Sequence, residues 1–599
     1  MSRMQRIRYL AALVPALVAL SVTLQSYAQS SAEGSRQGAE RQAGAVPRRV
    51  MTFYYPWYGI PNGPGGAGRT VHWGQIDQAN KNIEASTHYP ALGAYDSHDP
   101  NVIDQHCRWA RQANIDTFIV SWWGHGDYSD AAMAKILDVC QRHGLSACIY
   151  YETVPRPQTP LAAAEDIVKA LNKYGKHPAH LRINNKPVVF VYGRALQELG
   201  LAGWLEAIEI VNANYQGGFV AIGDQFSGGA AHIFDGLHTY NTAGPLKGRD
   251  PTAARKWAAE TYPAWVKLAD GAGKICAITV IPGYDDTKIR KPGLAVERYN
   301  GELYRAQWEE AIKADPHWIL VTSFNEWHEG SEVEPSAEYK EQYIGMTGEY
   351  AKLFKSKERA VRPRSGAEAL TGEQKARLSK KFEGIRIGVL PDADSPAFWW
   401  LSDIGVGMKI LTWDDAAKGN LTAQKYPLLL YCGGERYRSS VSKTGDVDKA
   451  MGAYLKAGGC LVFLPALPWP FYYNETGQAV NRGSQFGLTL RGGWENPPKD
   501  VKLDFVQPQR LLPHVPEQFP FPSSGDLRWR PFFAESNAKH MSLLQLHDGE
   551  GKSLGDAIAY AEPAGGGRIL YVWFSLLESP HTDFLLYDVF DFLATKLGR

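Results

Sequence analysis

The strongest constraint on this chain is an alternation of apolar, strand-like runs with helical segments between residues 49 and 323. The runs are apolar throughout, as expected for parallel strands buried on both faces. Eight such strands alternating with helices predict a (β/α)8 TIM barrel. The alternative is an open doubly wound sheet, although no Gly-rich phosphate loop follows the first run. The predicted strands are 49–58, 117–123, 146–152, 187–192, 219–224, 236–240, 276–281 and 317–323.

The intervening helices follow from spacing and from capping residues. Asp99 can cap a helix and Pro100 suits its first position, so a helix is predicted to begin there. The predicted helical segments are 102–113, 131–143, 161–174, 203–214, 251–269 and 301–314. The barrel domain is therefore predicted to span residues 49–355.

A second α/β series follows a charged, helical linker at 356–384. Its predicted strands are 385–390, 408–412, 427–431, 460–464 and 569–574, with a helix at 447–457. Residues 385–599 resemble a small flavodoxin-like domain of the class I amidotransferase-like family. That family has a nucleophilic Cys in a tight turn after a strand, and the turn after Leu464 has none. We expect a non-catalytic accessory domain; the alternative is an amidase reaction through Cys432.

The N-terminus has the pattern of a secretory signal. Basic residues at 3, 6 and 8 precede an apolar stretch at 10–24, and Ala28 ends a small-residue cleavage site. This predicts a signal peptide over 1–28, a flexible lead over 29–48, and a secreted or periplasmic protein. The alternative is an uncleaved N-terminal anchor. No later run is long enough to span a membrane.

Charge and cysteine content exclude some classes of partner and cofactor. A net charge of +1 gives no electrostatic support for a nucleic-acid partner. The six cysteines lie in apolar segments and are expected to be buried thiols, although Cys140 and Cys148 could form a disulfide. No zinc-ligand spacing and no cofactor motif is present, so we predict neither a metal nor a cofactor.

The residues expected to carry chemistry follow the last predicted strand. Glu326 and Glu329 stand three apart there, beside an indole and an imidazole. Catalytic groups of barrels lie on the loops after the strands, and two carboxylates with aromatic walls are typical of a glycoside-hydrolase cleft. The alternatives are a solvated acidic loop and a barrel that binds carbohydrate without cleaving it. With no second His at ligand spacing, His328 is expected to form hydrogen bonds rather than bind a metal.

Eight motifs in order between residues 49 and 350 resemble glycoside hydrolase family 99, the endo-α-1,2-mannosidases and mannanases. They are YYPWYG (54–59), YPALGAYDSHDP (89–100), SWW (121–123), YYE (150–152), FDGLHTY (234–240), PGYDDTKIR (282–290), RYNGELY (298–304) and TSFNEWHEG (322–330). The resemblance implies a retaining, endo-acting enzyme on α-mannan or mannose-containing oligosaccharides. Glu329 would be the general acid/base. Glu326 would remove the proton of the substrate's 2-hydroxyl, giving a 1,2-anhydro sugar.

The same resemblance implies a set of substrate-binding residues. Trp122, Glu152, Tyr192 and Tyr240 are predicted to lie in the cleft. The remaining members of the predicted set are Tyr55, Asp96, Arg290, Asn325, Trp327 and His328. Packing roles are the alternative for the aromatic residues. Since successive strand residues face opposite ways, one of Trp122 and Trp123 is expected inside the barrel and the other under the helices.

Overall fold

Eight parallel strands close into a barrel, which confirms the predicted (β/α)8 fold. The structure is a computed structural model that describes residues 46–360, 370–390, 395–432, 444–464, 471–473, 479–481, 488–490, 501–522, 527–534, 537–578 and 581–598. The barrel strands are β1 Arg49–Tyr54, β2 Thr117–Trp122, β3 Ser146–Tyr151, β4 Lys186–Val191, β5 Val220–Asp224, β6 Gly236–His238, β7 Ile275–Val280 and β8 Trp318–Val321. Their order around the barrel follows the chain, and pairing of β1 with β8 joins the two ends of the sheet.

Helices follow most of these strands and cover the outside of the barrel. They are α1 Pro100–Gln112, α2 Tyr128–His143, α3 Pro160–Tyr174, α4 Gly193–Asn214, α5 Gly228–Ile233, α6 Ala243–Leu246, α7 Pro251–Gly271, α8 Glu302–Ala314 and α9 Gln342–Lys355. The Asp99 side chain accepts the Asn101 N–H and Pro100 occupies the first turn, so the predicted start of α1 is confirmed. Helix α4 begins ten residues before its predicted start because it continues across a kink at Gly200.

Alternate residues of each strand face two different cores. Phe53, Ile119 and Tyr150 belong to the core inside the barrel, whereas Tyr54 and Val120 pack in the layer between strands and helices. This alternation decides which residues at the strand ends point into the cleft above the barrel. The loops contain three short antiparallel pairings of two residues each: Ile76–Asp77 with Asn82–Ile83, Arg182–Ile183 with β4, and Tyr284–Asp285 with Ala295–Val296.

The C-terminal part forms a second, mixed sheet. Its parallel strands are β9 Ile387–Leu390, β10 Met408–Ile410, β11 Leu428–Tyr431, β12 Cys460–Phe463 and β21 Arg568–Val572. They lie in the order β10-β9-β11-β12-β21, the order 2-1-3-4-5 of flavodoxin-like sheets. The amidotransferase-like resemblance itself stays a prediction.

An antiparallel extension of this sheet was not expected from the sequence. Beyond β21 the sheet continues through long strands β20 Ser553–Glu562 and β19 Lys539–His547. The same sheet includes the shorter strands β15 Leu488–Leu490, β16 Asp504–Val506, β17 Gln518–Pro520 and β18 Phe532–Ala534. Strands β13 Phe471–Tyr473 and β14 Ala479–Asn481 pair with each other as a separate two-stranded sheet. The helices are α10 Gly372–Lys381, α11 Pro396–Asp403, α12 Trp413–Ala417, α13 Thr444–Lys456 and α14 Thr582–Lys596.

Two predictions about the chain as a whole can be compared with this fold. The cysteines are all free and buried, which confirms the expected buried thiols. Cys140 Sγ lies 4.0 Å from Cys107 Sγ, and the alternative Cys140–Cys148 disulfide is not formed. Among the described helices, none combines the length and apolarity that crossing a bilayer requires. The predicted signal peptide at 1–28 and most of the lead lie outside the described residues.

Candidate active site

The loop after β8, residues 323–334, brings two carboxyl groups to the carboxyl end of the barrel. Its backbone turns tightly: the Ser323 hydroxyl accepts the Glu326 N–H at 2.8 Å, and the Glu329 N–H approaches the Glu326 carbonyl at 3.3 Å. The Asp285 N–H donates to the Glu329 carbonyl at 2.6 Å, which ties this loop to the loop after β7. The turn therefore presents Glu326 and Glu329 within one short segment.

Glu326 is almost fully buried, and its contacts converge on one oxygen. Oε1 accepts the His328 backbone N–H at 3.1 Å and the Tyr58 hydroxyl at 3.5 Å. No hydrogen bond among the described residues reaches Oε2. Burial raises the pKa of Glu326, and the nearby charge of Glu329 raises it further. Both effects favour the protonated form of Glu326 over its ionised form.

Glu329 is more accessible and carries contacts on both oxygens. Oε2 accepts the Tyr240 hydroxyl at 2.8 Å, and Oε1 lies 3.2 Å from a guanidinium nitrogen of Arg290. The same nitrogen contacts Asp286 and the Tyr284 hydroxyl, so the guanidinium is held from two further sides. The structure thus brings Tyr240 and Arg290, both predicted site residues, directly onto Glu329.

Two more carboxyl groups end barrel strands beside this pair. Glu152 follows β3, is buried, and accepts the Ser121 hydroxyl at 2.7 Å. Burial raises its pKa from 4.5 to about 7, with smaller increases from Glu329 and Asp224. Burial also raises the pKa of Asp224, at the end of β5, to about 6. Asp224 accepts the backbone N–H groups of Tyr240 and Gly193, so it also orients Tyr240.

Aromatic rings line the mouth of the barrel between these carboxyl groups. Tyr192 lies edge-on to Tyr240 with ring centroids 5.8 Å apart, and Tyr55 lies 6.4 Å from Tyr240. The side chains of all three tyrosines occupy the alternate positions that face the inside of the barrel. Burial raises the pKa of Tyr192 to about 12 and that of Tyr240 well above 10, so these phenols stay protonated and can donate.

A second aromatic group, missed in the predicted site, lies beside His328. Trp57 stacks on His72 with ring centroids 4.6 Å apart, and its ring lies 5.8 Å from that of His328. Trp123 lies 6.0 Å from Trp57 and carries the guanidinium of Arg194 over its ring at 4.6 Å. Trp57 and Trp123 belong to strand-end motifs that the sequence already marked. His72 and Arg194 carry no such signal.

The position of Trp122 is a correction. The structure places it in the layer between the barrel and α2, where its indole N–H donates to Asp130 at 3.0 Å. The reason is strand parity: Ser121 and Trp123 face the cleft, so the residue between them faces the helices. The general expectation of one inside and one under the helices was right, but the resemblance assigned the wrong one to the cleft.

Three other predicted binding residues support the cleft from beneath or beside it. The Asn325 amide bonds both backbone polar groups of Tyr55, and the Trp327 indole donates to Tyr95 Oη and Glu334. Both are fully buried. The Asp96 carboxylate accepts from three groups of neighbouring loops, namely the N–H groups of residues 98 and 65 and the Tyr128 hydroxyl. These side chains hold the loops rather than line the cleft.

Comparison with known proteins agrees with the geometry of the barrel. Residues 46–350 match the family model "Glycosyl hydrolase family 99". The chain is 28% identical over 331 residues to the glycoprotein endo-alpha-1,2-mannosidase of Rattus norvegicus, covering 48% of this chain and 67% of that protein. The Xenopus laevis protein of the same name is 28% identical over 328 residues, covering 47% and 68%.

A solved structure is also similar. It is the endo-alpha-mannosidase of family 99 from Bacteroides thetaiotaomicron, with 27% identity, coverage of 52% of this chain and 99% of that chain, and a TM-score of 0.44. The family match covers 305 of 599 residues, just over half of the chain, and includes every barrel strand. This chain therefore belongs to glycosyl hydrolase family 99 and is a glycoside hydrolase.

Proposed function

We propose that this enzyme cleaves internal α-mannosidic bonds, of the α-1,2 type, in mannan or mannose-rich glycans. The observation that carries the proposal is the pairing of buried Glu326 with accessible Glu329 on one turn above a closed barrel. Hydrolysis of a glycosidic bond needs two such carboxyl groups. The family and the names of the relatives support α-mannosides as the substrate class.

Glu329 is proposed as the general acid/base. Its side chain is 13% exposed, so a leaving sugar can reach it, whereas that of Glu326 is 3% exposed. The Tyr240 hydroxyl and Arg290 fix its two oxygens, which limits the positions from which it can deliver a proton. Orientation of this kind is a large part of general acid catalysis.

Glu326 is proposed as the base on the substrate's own 2-hydroxyl. The contacts of its Oε1 leave Oε2 to accept a hydroxyl proton. A hydroxyl donating to Glu326 stabilises its ionised form, so substrate binding favours the ionised base that the first step requires.

The proposed reaction balances in two steps. First, the 2-oxygen attacks C1 as Glu326 takes its proton and Glu329 protonates the departing oxygen, which gives a 1,2-anhydro sugar. Second, Glu329 takes a proton from water, which attacks C1 as the epoxide opens and Glu326 returns its proton to the 2-oxygen. Each step inverts C1, so the product retains the α-configuration. The enzyme forms no covalent bond to the sugar.

Flanking residues offer contacts to the neighbouring sugars. Trp57 and Trp123 lie 6.0 Å apart at the mouth of the barrel, and pyranose rings stack on indole rings through their apolar side. Glu152, whose pKa is about 7, holds a proton over part of the neutral range and can donate to a sugar hydroxyl as well as accept. These positions favour an extended glycan over a single sugar.

The test is hydrolysis of α-mannan and of defined α-1,2-linked manno-oligosaccharides, with product configuration followed by NMR. Glu329→Gln and Glu326→Gln are compared with wild type and with Glu349→Gln, an exposed carboxyl on α9 that serves as control. We expect α-configured products from wild type and control, and losses of at least about a thousandfold in both site variants. Substantial activity in Glu326→Gln would rule out the base role. Failure of wild type on every α-mannoside would rule out the substrate class.

We also propose export from the cytoplasm, on the strength of the sequence pattern over residues 1–28. A polymeric glycan substrate is consistent with an enzyme outside the cell. N-terminal sequencing of the protein purified from its natural host tests this, with Gln29 expected as the first residue. A mature chain that begins at Met1 would contradict it.

A further inference from the structure

His328 lies between the proposed base and a neighbouring backbone carbonyl, and the reaction described above gives its imidazole no role. Its ring lies 5.6 Å from that of Tyr58 and 5.8 Å from that of Trp57. Its Nδ1 lies 3.7 Å from Glu326 Oε1, while its Nε2 contacts the His72 carbonyl oxygen. These two contacts together determine what the imidazole can do.

The contact with His72 determines the tautomer. A carbonyl oxygen can only accept a hydrogen bond, so Nε2 of His328 must carry a hydrogen and donate it. Burial lowers the pKa of His328, and Arg290 lowers it further, so the ring is neutral near pH 7. In a neutral imidazole with hydrogen on Nε2, Nδ1 bears a lone pair and no proton.

The lone pair of Nδ1 therefore faces a carboxyl oxygen. With Glu326 ionised, two acceptors face each other at 3.7 Å and no hydrogen bond forms. With Glu326 protonated on Oε2, which its other contacts leave for the substrate, Oε1 carries less negative charge and its repulsion with the Nδ1 lone pair falls. The imidazole thus favours the protonated form of Glu326 over the ionised form.

We propose that His328 is a positioning residue of the base, which stabilises the proton that Glu326 removes from the substrate's 2-hydroxyl. The inference rests on the proposed function, in which Glu326 is that base. In the first step the proton leaves the 2-oxygen for Oε2 of Glu326, and the repulsion between Oε1 and the Nδ1 lone pair falls. In the second step the proton returns to the 2-oxygen as the epoxide opens, and Nδ1 again faces an ionised carboxylate.

Other charged groups act on this pair from several elements. The groups facing His328 are Glu326, Tyr58 and His72, with Arg290 acting over a longer range. Burial lowers the pKa of His72 to about 4, so that ring is neutral as well. Glu329 and Glu152 both raise the proton affinity of Glu326. Protonation of Glu326 is therefore favoured by the lone pair of Nδ1 on one side and by negative charge on the other.

The test combines two substitutions with a pH profile. His328→Phe keeps a ring in place but removes both nitrogens, whereas the Asn of His328→Asn can present an amide oxygen close to the position of Nδ1. We expect the acidic limb of kcat/KM in His328→Phe to move to lower pH by about half a unit or more, because Glu326 loses the lone pair that disfavours its ionised form. We expect kcat to fall by up to about threefold for each half-unit by which the pKa drops, because a base of lower pKa abstracts a proton less well. In His328→Asn we expect the acidic limb and kcat to lie much closer to their wild-type values than in His328→Phe.

The outcomes separate this inference from the proposed function. If His328→Phe is folded by circular dichroism and loses activity with an unmoved acidic limb, His328 has only a packing role and the inference fails. If His328→Phe does not fold, the test rests on the acidic limb of kcat/KM in His328→Asn and on the ¹⁵N spectrum. Histidine ¹⁵N NMR of the free wild-type enzyme should show a protonated Nε2 and a bare Nδ1; the opposite tautomer overturns the inference. Retained activity in Glu326→Gln would instead remove the proposed function, and this inference with it.

Discussion

Glu152 offers a direct measure of how strongly the cleft penalises negative charge. Its side chain is buried at the end of β3, and burial raises its pKa from 4.5 to about 7. Below pH 4.5 the group is protonated in both the folded and the unfolded chain and has no effect on stability. Between pH 4.5 and 7 the folded chain keeps a proton that the unfolded chain has lost, so stability falls as pH rises. The full loss is about 3 kcal/mol above pH 7.

Glu152→Gln removes this penalty while keeping the shape of the side chain and an oxygen for the Ser121 hydroxyl. We expect the variant to match wild type near pH 4 and to be more stable at pH 8.5 by up to about 3 kcal/mol. For a domain of this size that corresponds to a rise in Tm of about 5 °C. Glu349→Gln, on the exposed face of α9, is the matched control and should show no pH-dependent difference.

The assay is thermal unfolding of the full-length chain followed by circular dichroism between pH 4 and 9, with the transition of the barrel compared between variants. Differences between variants at one pH cancel the titration of distant groups, although Asp224 and Glu329 are close enough to couple. A difference in Tm that is constant over the whole pH range would refute the reasoning. A variant less stable than wild type at pH 8.5 would show that ionised Glu152 stabilises the fold.

Three further predictions concern other parts of the barrel. Tyr240→Phe removes a 2.8 Å hydrogen bond to Glu329 and should lower kcat/KM by about ten- to a hundredfold with little change in Tm, measured by steady-state kinetics. Trp123→Ala should raise KM for long glycans, whereas Trp122→Ala should leave KM unchanged and cost about 3 kcal/mol or more in unfolding free energy. Thiol titration should find no reactive cysteine in the native chain and six after denaturation; two fewer would reveal a disulfide.

The barrel could be predicted from the sequence because its strands are buried on both faces and so lack polar interruptions. The predicted strands were too long where aromatic residues continue beyond the hydrogen-bonded part of the strand. The first strand stops at Tyr54, although the apolar run extends to Tyr58. The sequence placed Glu326 and Glu329 together because they are three residues apart. It also predicted correctly that Tyr240 and Glu152 follow barrel strands and face the cleft.

The remaining part of the site depends on contacts between loops that are distant in sequence. His72 comes from the long segment between β1 and α1, which has no periodic pattern, and reaches His328 only in the folded barrel. Asn325 and Trp327 lie in the motif that most strongly indicates the active site, and both carry polar groups, so the sequence predicts that they bind substrate. Only their hydrogen bonds in the folded chain show that they are buried and support the loops. The antiparallel part of the second sheet was missed because strand identity there depends on pairing with β21.

The hydrogen bonds of Asn325 and Tyr58 have a consequence for how the enzyme assembles. Asn325 bonds both backbone polar groups of Tyr55, and the Tyr58 hydroxyl accepts the Trp327 N–H. These contacts join the loop after the last barrel strand to the loop after the first, across the seam where β1 meets β8. A nascent barrel missing its final strand has neither carboxyl group in place. The recovery of activity during refolding therefore reports when β1 pairs with β8. It should lag behind the recovery of the helical circular dichroism signal.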